Sequence, residues 1–310
     1  MKKREHKDAF IGCFCALGCE TLFGLSYIFT KQATRDASAL TLLGWRFLVA
    51  IIVMGLCTFS GIIKIQLKGK KLKPLLTVAF FSPCIYFIGE TVGIRYTTAS
   101  ESGAFLACIP VISLLASTFL LHKKPQKKQI LGILVTLSGV LVTIFAVGAA
   151  ASFSFAGYAM LTAAVISYAL YSIYVEKAQE YTGGEITFIM LAAGAIIFGV
   201  LAVLEASLQG SLNEVIRLPF TNKSFLIAVL YQGIGCSVLA FFLSNIAISR
   251  IGVNRAASFI GAATVVSIVA GILILNEGFS EFQMIGALLI IAGVYIANTH
   301  FPGKAVQKQR

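Results

Sequence analysis

"ASFIGAATVVSIVAGILILNE" (Ala257–Glu277) is an apolar run that stops on an amide and a carboxylate, and the chain holds a near copy of it, "GAFLACIPVISLLASTFLLHK" (Gly103–Lys123). Shifting the sequence on itself by 154 positions lays Phe105 on Phe259, Val111 on Val265, Ser113 on Ser267, Ala116 on Ala270 and Leu121 on Leu275. The register continues without a gap through Gln129 on Gln283, Gly132 on Gly286, Leu134 on Leu288, Gly139 on Gly293 and Val140 on Val294. Apolar composition alone produces some coincidences. Glycines seven apart in both copies are harder to obtain that way, and they point to an internal duplication.

A helix needs roughly 20 apolar residues to cross a hydrocarbon layer of about 30 Å. The 310-residue chain offers ten such runs, near 9–30, 39–60, 74–94, 100–121, 130–148, 155–175, 186–206, 224–246, 256–275 and 282–300. Charged residues make up 12% and hydrophobic ones 58%, against about 25% charged in soluble chains. The reading is an all-α integral membrane protein with ten transmembrane helices. Its short connections leave no room for a soluble catalytic domain. Each repeat, 1–150 and 151–310, holds five spans. Two consecutive units with an odd number of crossings lie upside down relative to each other, so the halves are expected to be inverted repeats. Such repeats place a substrate site near the midplane at their interface and permit alternating access. A secondary transporter follows, with a non-transporting receptor or scaffold as the alternative of a different class.

The net charge of +12 is explained by its placement. With the N-terminus inside, nineteen Lys and Arg fall in inner segments, and five (Lys31, Arg35, Arg95, Arg217, Lys223) fall outside. This asymmetry places a multi-pass protein in the cell membrane with both termini cytoplasmic, and it makes nucleic acid an unneeded partner. The seven cysteines sit in apolar spans as small packing residues, and the three histidines lie at span edges or tails. No zinc or nucleophile motif is present, so no enzyme, metal or cofactor is expected. No phosphate-cradling loop is present either, which leaves an ion gradient or exchange as the energy source.

Arg46-Phe47-Leu48 in the second span, Pro110-Val111 in the fourth, "LFGLSYIFTK" (Leu22–Lys31) and "LILNEGFSEFQMIGALLIIAGVYI" (Leu273–Ile296) together resemble the EamA-type branch of the drug/metabolite transporter superfamily. The resemblance covers essentially the whole chain. It implies ten helices in two inverted bundles that export or exchange small metabolites such as amino acids, and it makes Glu277 the helix-end carboxylate, with a capping role. Glu20 resembles in placement the acidic residue of the small multidrug resistance proteins, which leaves proton-coupled efflux of lipophilic cations as a second reading.

Ionisable groups in hydrocarbon are costly and default to functional candidates. Glu20 lies near the middle of the first span, Arg46 inside the second and Glu90 inside the third. Glu20 reads as a proton-coupling carboxylate or as a structural partner of Arg46. Arg46 reads as a fork for a substrate carboxylate, or as one end of an ion pair with Glu90 or Glu20, the second being preferred. Glu90 falls on Ser244 under the 154-residue shift, so both halves place a polar group there. Trp45, Tyr168 and Tyr171 lie away from the depth where membrane aromatics normally gather and are candidates for lining a substrate cavity. Pro110 removes a backbone donor at the midpoint of the fourth span, and its counterpart Thr264 can loosen the ninth, so the pair is expected to act as a gate. The sequence Thr98-Ala-Ser-Glu101 has the form of a capping box. The paired glycines favour close backbone approach, either within one chain or across a homodimer.

Overall fold

The structure is a computed structural model that describes residues 2–34, 36–96, 105–106, 108–146, 154–275 and 281–298. Glu101, Glu277 and the surrounding capping motifs lie outside the described residues. Among the described residues every regular element is a helix. The first half comprises α1 (Lys2–Ala33), α2 (Ala39–Phe59), α3 (Lys73–Ala79), α4 (Tyr86–Tyr96), α5 (Ile109–Leu120) and α6 (Lys127–Ala146). The second comprises α7 (Phe155–Lys177), α8 (Gly183–Leu208), α9 (Leu212–Thr221), α10 (Lys223–Leu230), α11 (Phe241–Ile251), α12 (Val253–Ser258), α13 (Gly261–Leu275) and α14 (Glu281–Asn298).

Among the described residues six helical stretches are long and apolar enough to cross a membrane: Asp8–Thr30, Ala39–Phe59, Lys73–Gly93, Phe155–Lys177, Gly183–Leu208 and Lys223–Ile251. Shorter apolar helices cover Ile109–Leu120 and Met284–Asn298. The chain is therefore a helical, multi-pass membrane protein. The two long runs quoted at the outset are not continuous helices. In one, helix resumes at Ile109 after a turn at Cys108, and in the other α12 ends at Ser258 before α13 starts at Gly261.

The stretches Lys73–Gly93 and Lys223–Ile251 change pitch at positions equivalent under the 154-residue shift. A π-helical segment, Phe80–Ile85, separates α3 from α4, and a second one, Tyr231–Ala240, separates α10 from α11. In the first, Ser82 leaves helical geometry (φ −141°, ψ 121°) ahead of Pro83. A residue before proline is pushed toward extended backbone, and the proline itself donates nothing. The Ser167 hydroxyl on α7 donates to the Phe81 carbonyl at 2.7 Å and so satisfies the loosened backbone from a neighbouring helix.

The helix packing matches the 154-residue register. α1 lies against α11 and α13, while α7 lies against α4 and α5, which are the equivalents of α11 and α13 in the other half. α2 packs on α8, and α6 on α14. In each of these pairs the two partners come from different halves. At the α6–α14 seam a Cβ added to Gly132 would stand 2.6 Å from the Gly293 carbonyl oxygen, and one added to Gly139 2.6 Å from that of Gly286. The paired glycines therefore meet each other inside one chain, where backbones approach too closely for any side chain. This settles between the two roles that the sequence leaves open for them.

The ends of the bundle are tied by polar contacts. At the end holding the N-terminus, Lys70 bonds Glu185 at 2.9 Å, Lys123 pairs with Glu176, and Arg250 with Asp8. Glu185 also closes a capping box with Thr182 at the start of α8. At the opposite end Ser38 donates to Glu205, and the Asn222 amide donates to Asp36 at 2.7 Å while its oxygen caps α10 through the Phe225 N–H.

Candidate functional site

The candidate residues sit on helices that meet at the interface between the halves. Glu20 on α1 is 6% exposed, and α1 packs directly on α11. Glu20 lies within electrostatic reach of Tyr168 and Tyr171 of α7, and Ser244 of α11 stands near both tyrosines and Cys19. Tyr171 donates to Asn245 Oδ1 at 2.7 Å, with Ser244 Oγ at 3.4 Å. The Asn245 amide in turn donates to Thr187 on α8 at 3.0 Å. A buried amide satisfied on both sides fixes the angle of the Tyr171 ring, because every member of the chain has a partner.

Glu90 on α4 accepts a hydrogen bond from Tyr86 at 2.8 Å. The two residues are four apart and share a helix face. The Tyr86 ring stands 5.6 Å from that of Tyr168, which is 5.5 Å from Tyr171. Ring contacts among Tyr86, Tyr168 and Tyr171 thus link the Tyr86–Glu90 hydrogen bond on α4 to the Tyr171 contacts with Ser244 and Asn245 on α11. Glu90 and Ser244, equivalent under the shift, both contribute to this link.

Arg46 on α2 is 6% exposed. Its Nε donates to Ser237 Oγ at 2.7 Å, and its guanidinium carbon lies 4.7 Å from the Phe87 ring centroid and 5.5 Å from that of Phe47. Nη2 is buried without a hydrogen-bond partner. The preferred expectation, an ion pair with Glu90 or Glu20, is not what the structure holds: among the described residues no ion pair joins Arg46 to either carboxylate. The physical reason is the neighbourhood of α2. The second π segment brings Ser237 against Arg46, and the aromatic faces supply electrostatic attraction to a cation. Cys236, Glu90 and Tyr86 lie within electrostatic reach of the guanidinium.

Trp45 is not part of this group. Its indole N–H donates to the Val215 carbonyl of α9 at 3.0 Å, and its ring packs with a separate cluster around Leu42, Phe225 and Val229. Adjacent residues on a helix point about 100° apart, so Arg46 and Trp45 face different neighbours. Pro110 and Thr264 also stand elsewhere than expected. Both occupy the first turns of helices, Pro110 on α5 and Thr264 on α13, instead of kinking continuous ones.

Tyr86, Ser237 and Asn245 join the site without having been singled out from sequence. Tyr86 was detectable as an i, i+4 neighbour of Glu90, and Asn245 as an amide inside an apolar span. Ser237 carries no such signal, since serines are common in membrane helices.

The sequence matches the family described as EamA-like transporter family twice, over residues 10–145 and 155–299. An uncharacterized transporter, YcxC, of Bacillus subtilis (strain 168) is 28% identical over 306 residues, covering 98% of this chain and 97% of the relative. A protein of Salmonella typhimurium named "Probable amino-acid metabolite efflux pump" is 25% identical over 302 residues, covering 94% of this chain and 95% of the relative. A solved crystal structure shares the fold with TM-score 0.74 at 18% identity, covering 94% of this chain and 98% of the other.

Proposed function

The chain belongs to the EamA-like transporter family, and on that premise we propose that it is a secondary active transporter that exports or exchanges a small organic metabolite, an amino acid or a close derivative, by alternating access between two inverted five-helix repeats. One observation carries the reading. Ionisable and hydroxyl side chains of α1, α2, α4, α7 and α11 converge inside apolar helices, at the contact between the two halves of the chain. Buried polar groups are costly to retain in hydrocarbon unless they serve a pathway. The matched packing of the two halves and the π segments at equivalent positions support a pair of related units that rock against each other. The name of the Salmonella relative supports an amino-acid metabolite as cargo.

In this reading Glu20, Arg46, Glu90, Tyr168 and Tyr171 contact the substrate or couple its movement, Pro110 and Thr264 mark the joints where α5 and α13 begin, and Trp45 serves packing. Protons are the proposed coupling ion, with Glu20 as carrier. A second reading, efflux of a lipophilic cation, is favoured by one observation: among the described residues no ion pair neutralises Glu20, so a cation could approach it.

Purified protein reconstituted in liposomes distinguishes these readings. Saturable exchange of labelled amino acids, accelerated by a pH gradient, is the expected result. Movement of tetraphenylphosphonium with no amino-acid flux would select the cation reading, and absence of both would leave a receptor or scaffold. Orientation is tested by single cysteines in whole cells. Positions 64–73 and 123–128 are expected to be shielded from an impermeant thiol reagent, and positions 33–37 and 218–222 labelled.

A further inference from the structure

Arg46 is held on two sides and bare on a third. Ser237 takes Nε, the Phe87 ring lies against the guanidinium, and Nη2 is buried with nothing to bond. A charged donor left unsatisfied in a low-dielectric interior costs much of the desolvation of that group. Such an arrangement persists when the donor gains a partner during the working cycle. The guanidinium is planar and cannot lose its charge, and a free edge of it matches the paired oxygens of a carboxylate.

The holder is as specific as the group it holds. Ser237 is fully buried and lies within the second π segment. Single π turns inside α-helices recur at functional sites because they displace a side chain from its α-helical register. The equivalent position in the first half is Pro83, which has no hydroxyl, so this contact belongs to one half alone.

We propose that Nη2 of Arg46 receives the carboxylate of the transported molecule and that Ser237 is the positioning residue that keeps the guanidinium turned toward it. The proposal rests on the transport reading above and names the cargo's chemistry. A purely cationic molecule finds no place for its charge at Arg46, and a purely anionic one leaves Glu20 without a counter-ion. A zwitterion offers a carboxylate to Arg46 and an ammonium group to Glu20, and Phe87 already lies against the guanidinium.

The test uses the purified full chain in detergent and the twenty standard amino acids, each paired with its carboxamide, with binding read by ligand-induced thermal stabilisation. At least one acid is expected to bind about tenfold or more tighter than its amide, the value of a charge-assisted hydrogen bond. Arg46→Gln is expected to collapse that ratio to near one. Ser237→Ala is expected to weaken the acid several-fold and leave the amide unchanged, to raise KM for transport with little change in kcat, and to be rescued by Ser237→Thr. An acid-to-amide ratio that survives Arg46→Gln, or a Ser237→Ala variant that loses acid and amide equally, overturns the assignment. If Arg46→Gln does not fold, the Ser237 pair of variants decides. An amino acid that is transported but binds no better than its amide defeats this inference while leaving the transport reading standing. Binding of tetraphenylphosphonium with no amino acid bound defeats both this inference and the amino-acid part of that reading.

Discussion

The seam between α6 and α14 and the polar site around Arg46 are both contacts between the two halves, yet they treat the duplication in opposite ways. At the seam the halves present the same residues, Gly132 and Gly139 against Gly286 and Gly293, and each glycine rests on the backbone of its counterpart's helix. In the polar site the halves have diverged: Glu20 corresponds to Tyr174, Arg46 to Val200, Glu90 to Ser244 and Tyr171 to Leu17. A steric contact at which two matching backbones touch tolerates few solutions. A binding site for an asymmetric molecule has no such constraint, and divergence lets one half supply charge and the other hydroxyls. The seam should therefore report on stability and the polar site on transport.

The largest expected effect lies at the seam. Gly139→Leu places a side chain where a Cβ alone would stand 2.6 Å from a backbone oxygen, and overpacking costs about 1–3 kcal/mol or more. Loss of monodisperse folded protein on size exclusion is the expected outcome. Gly199→Leu is the control: a Cβ there meets nothing within 4 Å, so it should fold normally. Equal behaviour of the two variants would break the comparison. Next comes Glu20→Gln in the polar site. Arg46 is held by Ser237 and Phe87 and not by Glu20, so the substitution strands no guanidinium, and stability should change by less than about 1 kcal/mol. Uphill accumulation in liposomes is expected to vanish while exchange continues, because the amide mimics a carboxyl that never releases its proton. A Gln variant that accumulates substrate normally removes Glu20 from coupling.

A partial effect, on stability and not on transport, is expected at Glu176, which joins the halves at the bundle's end. Its carboxylate pairs with Lys123 and accepts the Val253 N–H at 2.8 Å. Glu176→Ala leaves that buried donor bare, for about 1–3 kcal/mol, whereas the partly exposed lysine pair contributes less. A melting temperature lowered by Ala and nearly restored by Gln would assign the stability to the backbone contact. Equal losses would assign it to charge. A change in stability within about 1 kcal/mol is also expected for Pro110→Ala, because a first helical turn leaves the N–H unpaired in any case. Combined with Thr264→Ala it should slow turnover more than it weakens binding, and unchanged flux would remove both residues from gating.

The sequence by itself determined the helical membrane class, the family, and the repeat register that also relates the two π segments and the two seam glycine pairs. Each of these depends on local hydropathy, on periodicity, or on a match of the chain with itself, so no knowledge of neighbours is needed. It also found the ionisable residues of the site, because charge in an apolar run is visible without a structure. Only the tertiary structure decided their partners. Arg46 bonds a serine 191 positions away and not a carboxylate, and Trp45, its neighbour in sequence, turns to a carbonyl 170 positions away. Whether the glycines meet within one chain was equally beyond the sequence. The physical reason is that interleaving the halves sets α1 against α11 and α4 against α7, so the partner of each polar group depends on which helix faces meet across the bundle, and residue spacing along the chain does not record that.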